Sequence, residues 1–260
     1  MSHLLQPEGL VGRKSAEFKR LVDALPYGGF TGAIILAEVG DEAAADLACA
    51  QLVSSASKCG AIVLGFDTET RPVFKRGQPQ NPICLVQLAS GSVAGLFRLY
   101  PGLPLPKALR LLLEDDSVLK VGQDALKETV QMAALWEMMP RGILDAHHFV
   151  AAAGSRCGGV AGMGAAFLGL RIAKSQSTTN WEAPQLSEAQ MRYAATDAWV
   201  CREAYRCSEA ARLERCYADR PQLFLSREVR ELNAVKATLY ELVRQVEASC
   251  KASSKRHTCL

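Results

Sequence analysis

The chain is poor in long apolar runs. No window of its 260 residues approaches the ~20 apolar positions that a membrane span requires. Residues 1–19 likewise hold no stretch suited to a secretory signal. Its nine cysteines include no C-x-x-C pair and no Cys/His cluster at zinc spacing, which argues against a structural zinc module. An odd count, with Cys49, Cys84 and Cys201 in apolar or helical surroundings, fits buried reduced thiols and a reducing compartment. Nucleus or cytoplasm is therefore the expected address. Glu8 and the scarcity of arginine near the start argue against a mitochondrial presequence, although that address stays open. Cys259 stands at the wrong place for prenylation.

Charge of one sign is also scarce, at a net +3. That excludes a uniformly basic coat and leaves room for a local basic rim around an acidic centre. Low-complexity tracts are absent and nearly half the residues are apolar, so the chain is expected to be globular. The glycine-rich stretch Gly158 to Gly164 lacks the Lys-Ser/Thr of a phosphate loop and reads as a tight turn before a short helix.

Two short stretches carry the chemistry. The run Ala61-Ile62-Val63-Leu64-Gly65-Phe66 reads as a buried strand that ends on Asp67 and Glu69. Strand alternation turns those two carboxylates to one face. Far downstream, Tyr193 and Asp197 stand i, i+4 within a helical pattern, one turn apart on one face. Three carboxylates brought together repel unless a cation neutralises them, and hard anionic oxygens suit a divalent ion.

In combination and order these stretches resemble the DEDD superfamily of 3′–5′ exonucleases, in the subclass whose third motif carries a tyrosine. Glu69-Thr70-Arg71-Pro72, Arg76-Gly77, Asn81-Pro82 and Ile83-Cys84-Leu85-Val86-Gln87-Leu88 extend the likeness to the Werner-type exonuclease domain and the RNase D family. So do Asn180-Trp181, Pro184-Gln185-Leu186-Ser187, Gln190 and Tyr193-Ala194-Ala195-Thr196-Asp197-Ala198. The resemblance covers roughly residues 30–215. One element departs from it: eight residues after Lys120, where many members carry aspartate, this chain has Glu128. Asp124, one helical turn earlier, is the alternative for the second motif.

The resemblance implies a ribonuclease-H-like α/β fold, with a mixed sheet of five to six strands flanked by helices. It also implies two divalent cations, Mg2+ or Mn2+. Asp67 would be shared between them, Glu69 and Asp197 would complete one, and Glu128 would act on the other through water. Tyr193 would aim the attacking water. A phenol whose ordinary pKa is near 10 is a poor base, so orientation is its expected role. The expected activity is hydrolysis of terminal phosphodiesters at DNA or RNA 3′ ends; the alternative is a weak or inactive relative that binds nucleic acid or serves in an assembly. Arg71, Lys75, Arg76, Lys174 and Arg192 flank the motifs as candidate phosphate contacts. Leu88 and Trp181 are candidates to wedge or stack the terminal nucleotide, with core burial as the competing role. His147-His148 after Asp145 reads as a helix start capped by the aspartate in preference to a metal site.

Along the chain, residues 1–29 read as an N-terminal extension, 30–218 as the exonuclease domain, 219–249 as a helical extension and 250–260 as a basic, disordered tail. Strands are expected at 33–38, 61–66, 83–89, 93–100, 118–121 and 142–144, and helices at 15–24, 41–57, 106–113 and 124–138. In the extension, Val229, Leu232, Val235, Leu239, Leu242 and Val246 recur at three- and four-residue steps. That amphipathic helix is expected to pack on the domain, with a homodimer or protein partner as its other use.

Overall fold

Continuous apolar runs bounded by Gly, Pro and polar turns become the strands, and the runs with helical spacing cover them. The computed structural model describes residues 16–57, 61–75, 77–155, 158–208 and 216. Arg76, residues 1–15 of the expected N-terminal extension, and the stretches expected as a helical extension (219–249) and a basic tail (250–260) therefore lie outside the described residues. The described elements, in order, are α1 (Ala16–Asp23), β1 (Tyr27–Gly28), β2 (Ala33–Ala37), α2 (Glu42–Ser57), β3 (Val63–Thr70), β4 (Ile83–Ala89) and β5 (Val93–Arg98). They continue with α3 (Lys107–Glu114), β6 (Leu119–Gly122), α4 (Ala125–Trp136), β7 (Ile143–Asp145), α5 (Ala146–Ala152), α6 (Val160–Met163), β8 (Arg171–Ile172) and α7 (Glu188–Ser208). Asp41 caps α2 by accepting the Ala44 N–H at 3.0 Å.

Six strands form one mixed sheet in the order β2-β5-β4-β3-β6-β7. β3, β4 and β5 are antiparallel neighbours, while β6 joins β3, and β7 joins β6, in parallel. This is the ribonuclease-H-like architecture, with β3 near the centre and both its faces covered. Leu64, Phe66, Val86 and Leu88 pack toward α2, α3 and α4 on one face. On the other face, Leu85, Leu96, Ala89 and Ala94 pack against Ala194, Ala195 and Ala198 of α7. Lys120 is fully buried and donates to the Leu112 and Asp115 carbonyl oxygens at 3.1 and 2.6 Å. It thereby closes the last turn of α3 against β6.

Three local features differ from the sequence expectation. A two-residue parallel pair, β1 with β8, ties the start of the domain to the segment before α7. A π turn at Gly164–Leu168 follows α6. Asp124 lies outside α4, in the left-handed region at φ 55°. Its carbonyl still accepts the Glu128 N–H at 3.3 Å, and the two carboxylates line the same cavity.

Candidate active site

β3 delivers Asp67 and Glu69 to the face covered by α7. Its pairing register with β4 shifts between Glu69 and Thr70, so the regular ladder is interrupted just past the second carboxylate. α7 is set at its start by a reciprocal cap. The Ser187 hydroxyl accepts the Gln190 N–H at 3.2 Å, and Gln190 Oε1 accepts the Ser187 N–H at 3.0 Å. Gln190 Nε2 also donates to Thr179 Oγ1 and the Asn180 carbonyl. Further along, Thr196 Oγ1 accepts the Phe30 N–H, and Arg202 Nε donates to the Val63 carbonyl at 2.9 Å. These bonds lock the rotation of α7, and with it the direction of Tyr193 and Asp197.

Gly65 sets how close α7 comes. A Cβ there would lie 1.8 Å from the Ala198 carbonyl oxygen, so the helix backbone rests directly on the strand. Gly65→Ala is expected to cost about 1–3 kcal/mol through overpacking and to separate Asp197 from Asp67. Urea unfolding together with Mn2+ titration checks it; unchanged stability and unchanged metal affinity would contradict the close approach.

The result is a cavity of about 340 Å3 lined by Asp67, Glu69, Asp124, Glu128, Tyr193 and Asp197, with Lys174 and Gln123 at its wall. Ligand oxygens of Asp67, Glu69 and Asp197 lie within 4.8 Å of one another. Glu128 lines the same cavity outside that cluster; the Thr68 hydroxyl hydrogen-bonds to it, while its Oε2 is buried with no partner among the described residues. The Tyr193 hydroxyl donates to Asp197. Gln123 Oε1 accepts the Val160 N–H at 2.9 Å and so fixes the loop beside the cavity.

Burial and mutual repulsion dominate the electrostatics. Desolvation, then the Asp197 charge, raises Asp67 well above the carboxylate range, although the Thr68 N–H pulls it down. Glu69 is pushed up to about 9 by burial and then by Asp67 and Asp197. Glu128 rises to about 10 for the same first reason, with Asp67 next. Asp197 reaches only about 7, since Tyr193 and Lys174 favour its charged form. Tyr193 is raised far beyond its ordinary value by burial and by the Asp197 charge, so it keeps its proton. A site that must hold protons when alone is one that a divalent cation can charge. The donors are all hard oxygens, and their spacing suits such an ion.

The candidate nucleotide contacts divide. Lys174 lines the cavity. Arg71 is exposed and pairs with Glu182 at 3.5 Å, and Lys75 is exposed in the following loop. Arg192 Nη1 donates to the Gly32 carbonyl at 2.8 Å beside a smaller cavity that also reaches Tyr193. Leu88 and Trp181 do not offer a face to a nucleotide. Leu88 is fully buried opposite Phe66, on the sheet face turned away from α7. Trp181 is 1% exposed, packed with Leu85 and Leu96, its ring 6.1 Å from that of Tyr193. Face parity decides the first case and the apolar layer under α7 the second. Asp145 caps α5 through the His147 N–H and also holds His147 Nδ1 at 2.8 Å, a capping arrangement. The burial of Cys49 and Cys84 pushes each thiol up to about 12, so neither is a reactive thiol.

Sequence reasoning passed over Gly65 and Gln87. Gln87 lies directly across from Asp67 in the β3–β4 register and is fully buried. Neither its Nε2 nor its Oε1 has a partner among the described residues. An unpaired buried amide costs about 1–3 kcal/mol.

A ribonuclease-H-like sheet with an acidic cavity fit for a hard divalent cation defines the class. Residues 39–206, more than half the chain, match the 3′–5′ exonuclease family, and the chain belongs to that family. It is 33% identical over 147 residues to exonuclease 3′-5′ domain-containing protein 2 of Drosophila melanogaster, covering 55% of this chain and 25% of that protein. To ribonuclease D of Gluconacetobacter diazotrophicus it is 35% identical over 147 residues, covering 55% of this chain and 36% of that enzyme. The match thus spans a third or so of these relatives' own length, or less. Among solved structures, Trypanosoma brucei RNase D in complex with RNA U12 superposes with a TM-score of 0.54 at 18% identity, covering 84% of this chain and 82% of that one. Brucella melitensis NrnC with bound Mg2+ does so with a TM-score of 0.50 at 18% identity, covering 81% and 92%.

Proposed function

We propose that the chain is a divalent-cation-dependent 3′–5′ exonuclease that removes nucleotides one at a time from a DNA or RNA 3′ end. The observation that carries this is the convergence of Asp67, Glu69 and Asp197 within 4.8 Å on a chain of the exonuclease family. RNA in the Trypanosoma protein and Mg2+ in the Brucella protein, both on this fold, support the reading.

Asp67, Glu69 and Asp197 would hold one cation, and Asp67 with Glu128, the latter through water, a second. Such ions, Mg2+ or Mn2+, supply Lewis-acid stabilisation of the developing charge and lower the pKa of the attacking water. The terminal phosphodiester lies in the cavity with Lys174, which draws its phosphate oxygens. Arg71, Lys75 and Arg192 would contact the upstream backbone, giving affinity without sequence information. Tyr193 keeps its proton and orients the incoming water by hydrogen bonding; it does not take the proton itself. Attack forms a new P–O bond, breaks the bond to the 3′ oxygen and releases a nucleoside 5′-monophosphate, the water proton leaving through solvent. Glu128 reaches one methylene further than aspartate and is tolerated because it acts through water.

The test is digestion of 5′-labelled DNA and RNA oligonucleotides with Mg2+ or Mn2+, beside a chelator and Asp67→Ala. A descending ladder lost in both controls is the expected result. No ladder from a folded chain that still binds the strand would make it a binding module instead. Tyr193→Phe should lower kcat about 10–100-fold, the scale of an orienting group, with KM unchanged. Equal loss of kcat and binding would contradict the orienting role.

A further inference from the structure

The connection between β3 and β4, residues 71–82, leaves the sheet at the end where Asp67 and Glu69 stand, because Thr70 with Ile83 is the last pair of that ladder. Its base is closed by Asn81 Nδ2, which donates to the Arg71 carbonyl at 2.8 Å. Its flank is tied to the segment before α7, where Arg71 pairs with Glu182 at 3.5 Å. The ring of the adjoining Trp181 lies 6.1 Å from that of Tyr193. The connection therefore stands at the rim of the acidic cavity, on the side from which Tyr193 enters. Pro72, Pro79 and Pro82 restrict its backbone, so little order has to be imposed on a side chain it presents.

Phe74 projects from this rim. It is 81% exposed, whereas the other phenylalanines among the described residues are buried or half-buried. It does not line the cavity, yet it follows Glu69 by five residues, which keeps the two Cα atoms within about 18 Å. Single exposed apolar side chains are ordinary on a surface. The setting of this one is not: Phe74 lies between Arg71 and Lys75, both exposed, and residues 71–82 include no acidic side chain. A ring among cations is how unpaired strand is held, with bases on the aromatic face and phosphates on the charges.

We propose that Phe74 stacks on an unpaired base of the substrate strand, upstream of the terminal nucleotide whose phosphodiester enters the acidic cavity. The inference deepens the exonuclease reading and rests on it. The ring gives affinity without sequence information, since every base has a π face, while Arg71 and Lys75 take the flanking phosphates. Its occupant is single-stranded, because paired bases are already stacked on one another.

Phe74→Ala and Phe74→Trp, each in the full chain, test this with a single-stranded oligodeoxyadenylate, read by anisotropy in chelator and by digestion in Mn2+. In Phe74→Ala, Kd and KM should rise about 5–150-fold, the range that loss of one base–aromatic stack gives. The melting midpoint and kcat should hold, and so should the slope of log Kd against log salt, since no phosphate contact is lost. The rise should shrink toward nothing when the substrate is a dinucleotide, too short to reach the ring. Phe74→Trp should bind at least as tightly as wild type, and its added emission should be quenched by the strand. Kd and KM of Phe74→Ala indistinguishable from wild type would overturn the inference and leave the ring to a protein partner. An equal rise on the dinucleotide would overturn the upstream placement, and emission indifferent to the strand would overturn stacking. A wild-type chain that neither binds nor cuts the strand overturns the exonuclease reading, and this inference with it. A wild-type chain that does both, beside an unaltered Phe74→Ala, overturns only the role of Phe74.

Discussion

Asp67→Asn is expected to reduce 3′-end hydrolysis by about a thousandfold or more and to leave the metal-free chain folded with a higher melting midpoint. The two effects share a cause. Burial and then the Asp197 charge raise Asp67 well above the carboxylate range, so its charge is unfavourable until a cation arrives. Asparagine keeps the shape and removes the charge, which relieves Glu69, Glu128 and Asp197 in the apo fold. On the proposed reading it also removes the carboxylate that two cations would share. The loss is several kcal/mol of transition-state stabilisation, and ~1.4 kcal/mol is tenfold in rate. Steady-state digestion beside a melting curve in chelator measures both. Retention of a tenth or more of the activity would contradict the shared-ligand role, and a lower apo midpoint would contradict the repulsion.

Without metal, stability is expected to fall as pH rises from about 5 to 9, and Mn2+ to restore it most strongly at the alkaline end. Glu69 goes from 4.5 to about 9, Glu128 from 4.5 to about 10 and Asp197 from 3.8 to about 7 on folding. Across that window the folded chain binds more protons than the unfolded one, so the slope of stability against pH is negative. The stability is fully present below the ordinary carboxylate range and is lost as pH climbs through the folded values. A two-unit displacement of a single carboxyl is worth about 3 kcal/mol, or roughly 6–12 °C in midpoint for a domain of this size. Cation binding must displace those protons, so calorimetry in buffers of different ionisation heat should register proton release. A flat apo midpoint between pH 5 and 9, or Mn2+ binding without proton release, would contradict the linkage.

Much of this was legible in the sequence because it depends on local periodicity. The run from Ala61 to Phe66 ends on carboxylates that alternate to one face, and Tyr193 with Asp197 follows the helical repeat. Their meeting was carried by the ordered motifs. What stayed hidden depends on contacts distant in sequence. Gly65 reads as one more strand residue until Ala198 is laid on it. Leu88 reads as a candidate wedge with core burial as its competing role, and the run from Ile83 to Ala89 carries apolar residues on both faces, so only the β3–β4 register shows which way it points. Gln87 looks like an ordinary polar strand residue until its burial and its register with Asp67 are known. Asp124 precedes α4 with a left-handed backbone that no spacing announces, yet it lines the same cavity as Glu128. The pair β1 and β8 is two residues long, below what any pattern can announce.

The most direct measurement is a crystal structure with Mn2+ and a 3′-terminal oligonucleotide, read by anomalous scattering at the manganese edge. A peak held jointly by Asp67, Glu69 and Asp197, with the terminal phosphodiester against it, is the predicted result. Manganese absent from those three carboxylates, or a strand bound with its 3′ end elsewhere, would contradict the claim that this cavity is a cation-dependent exonuclease site.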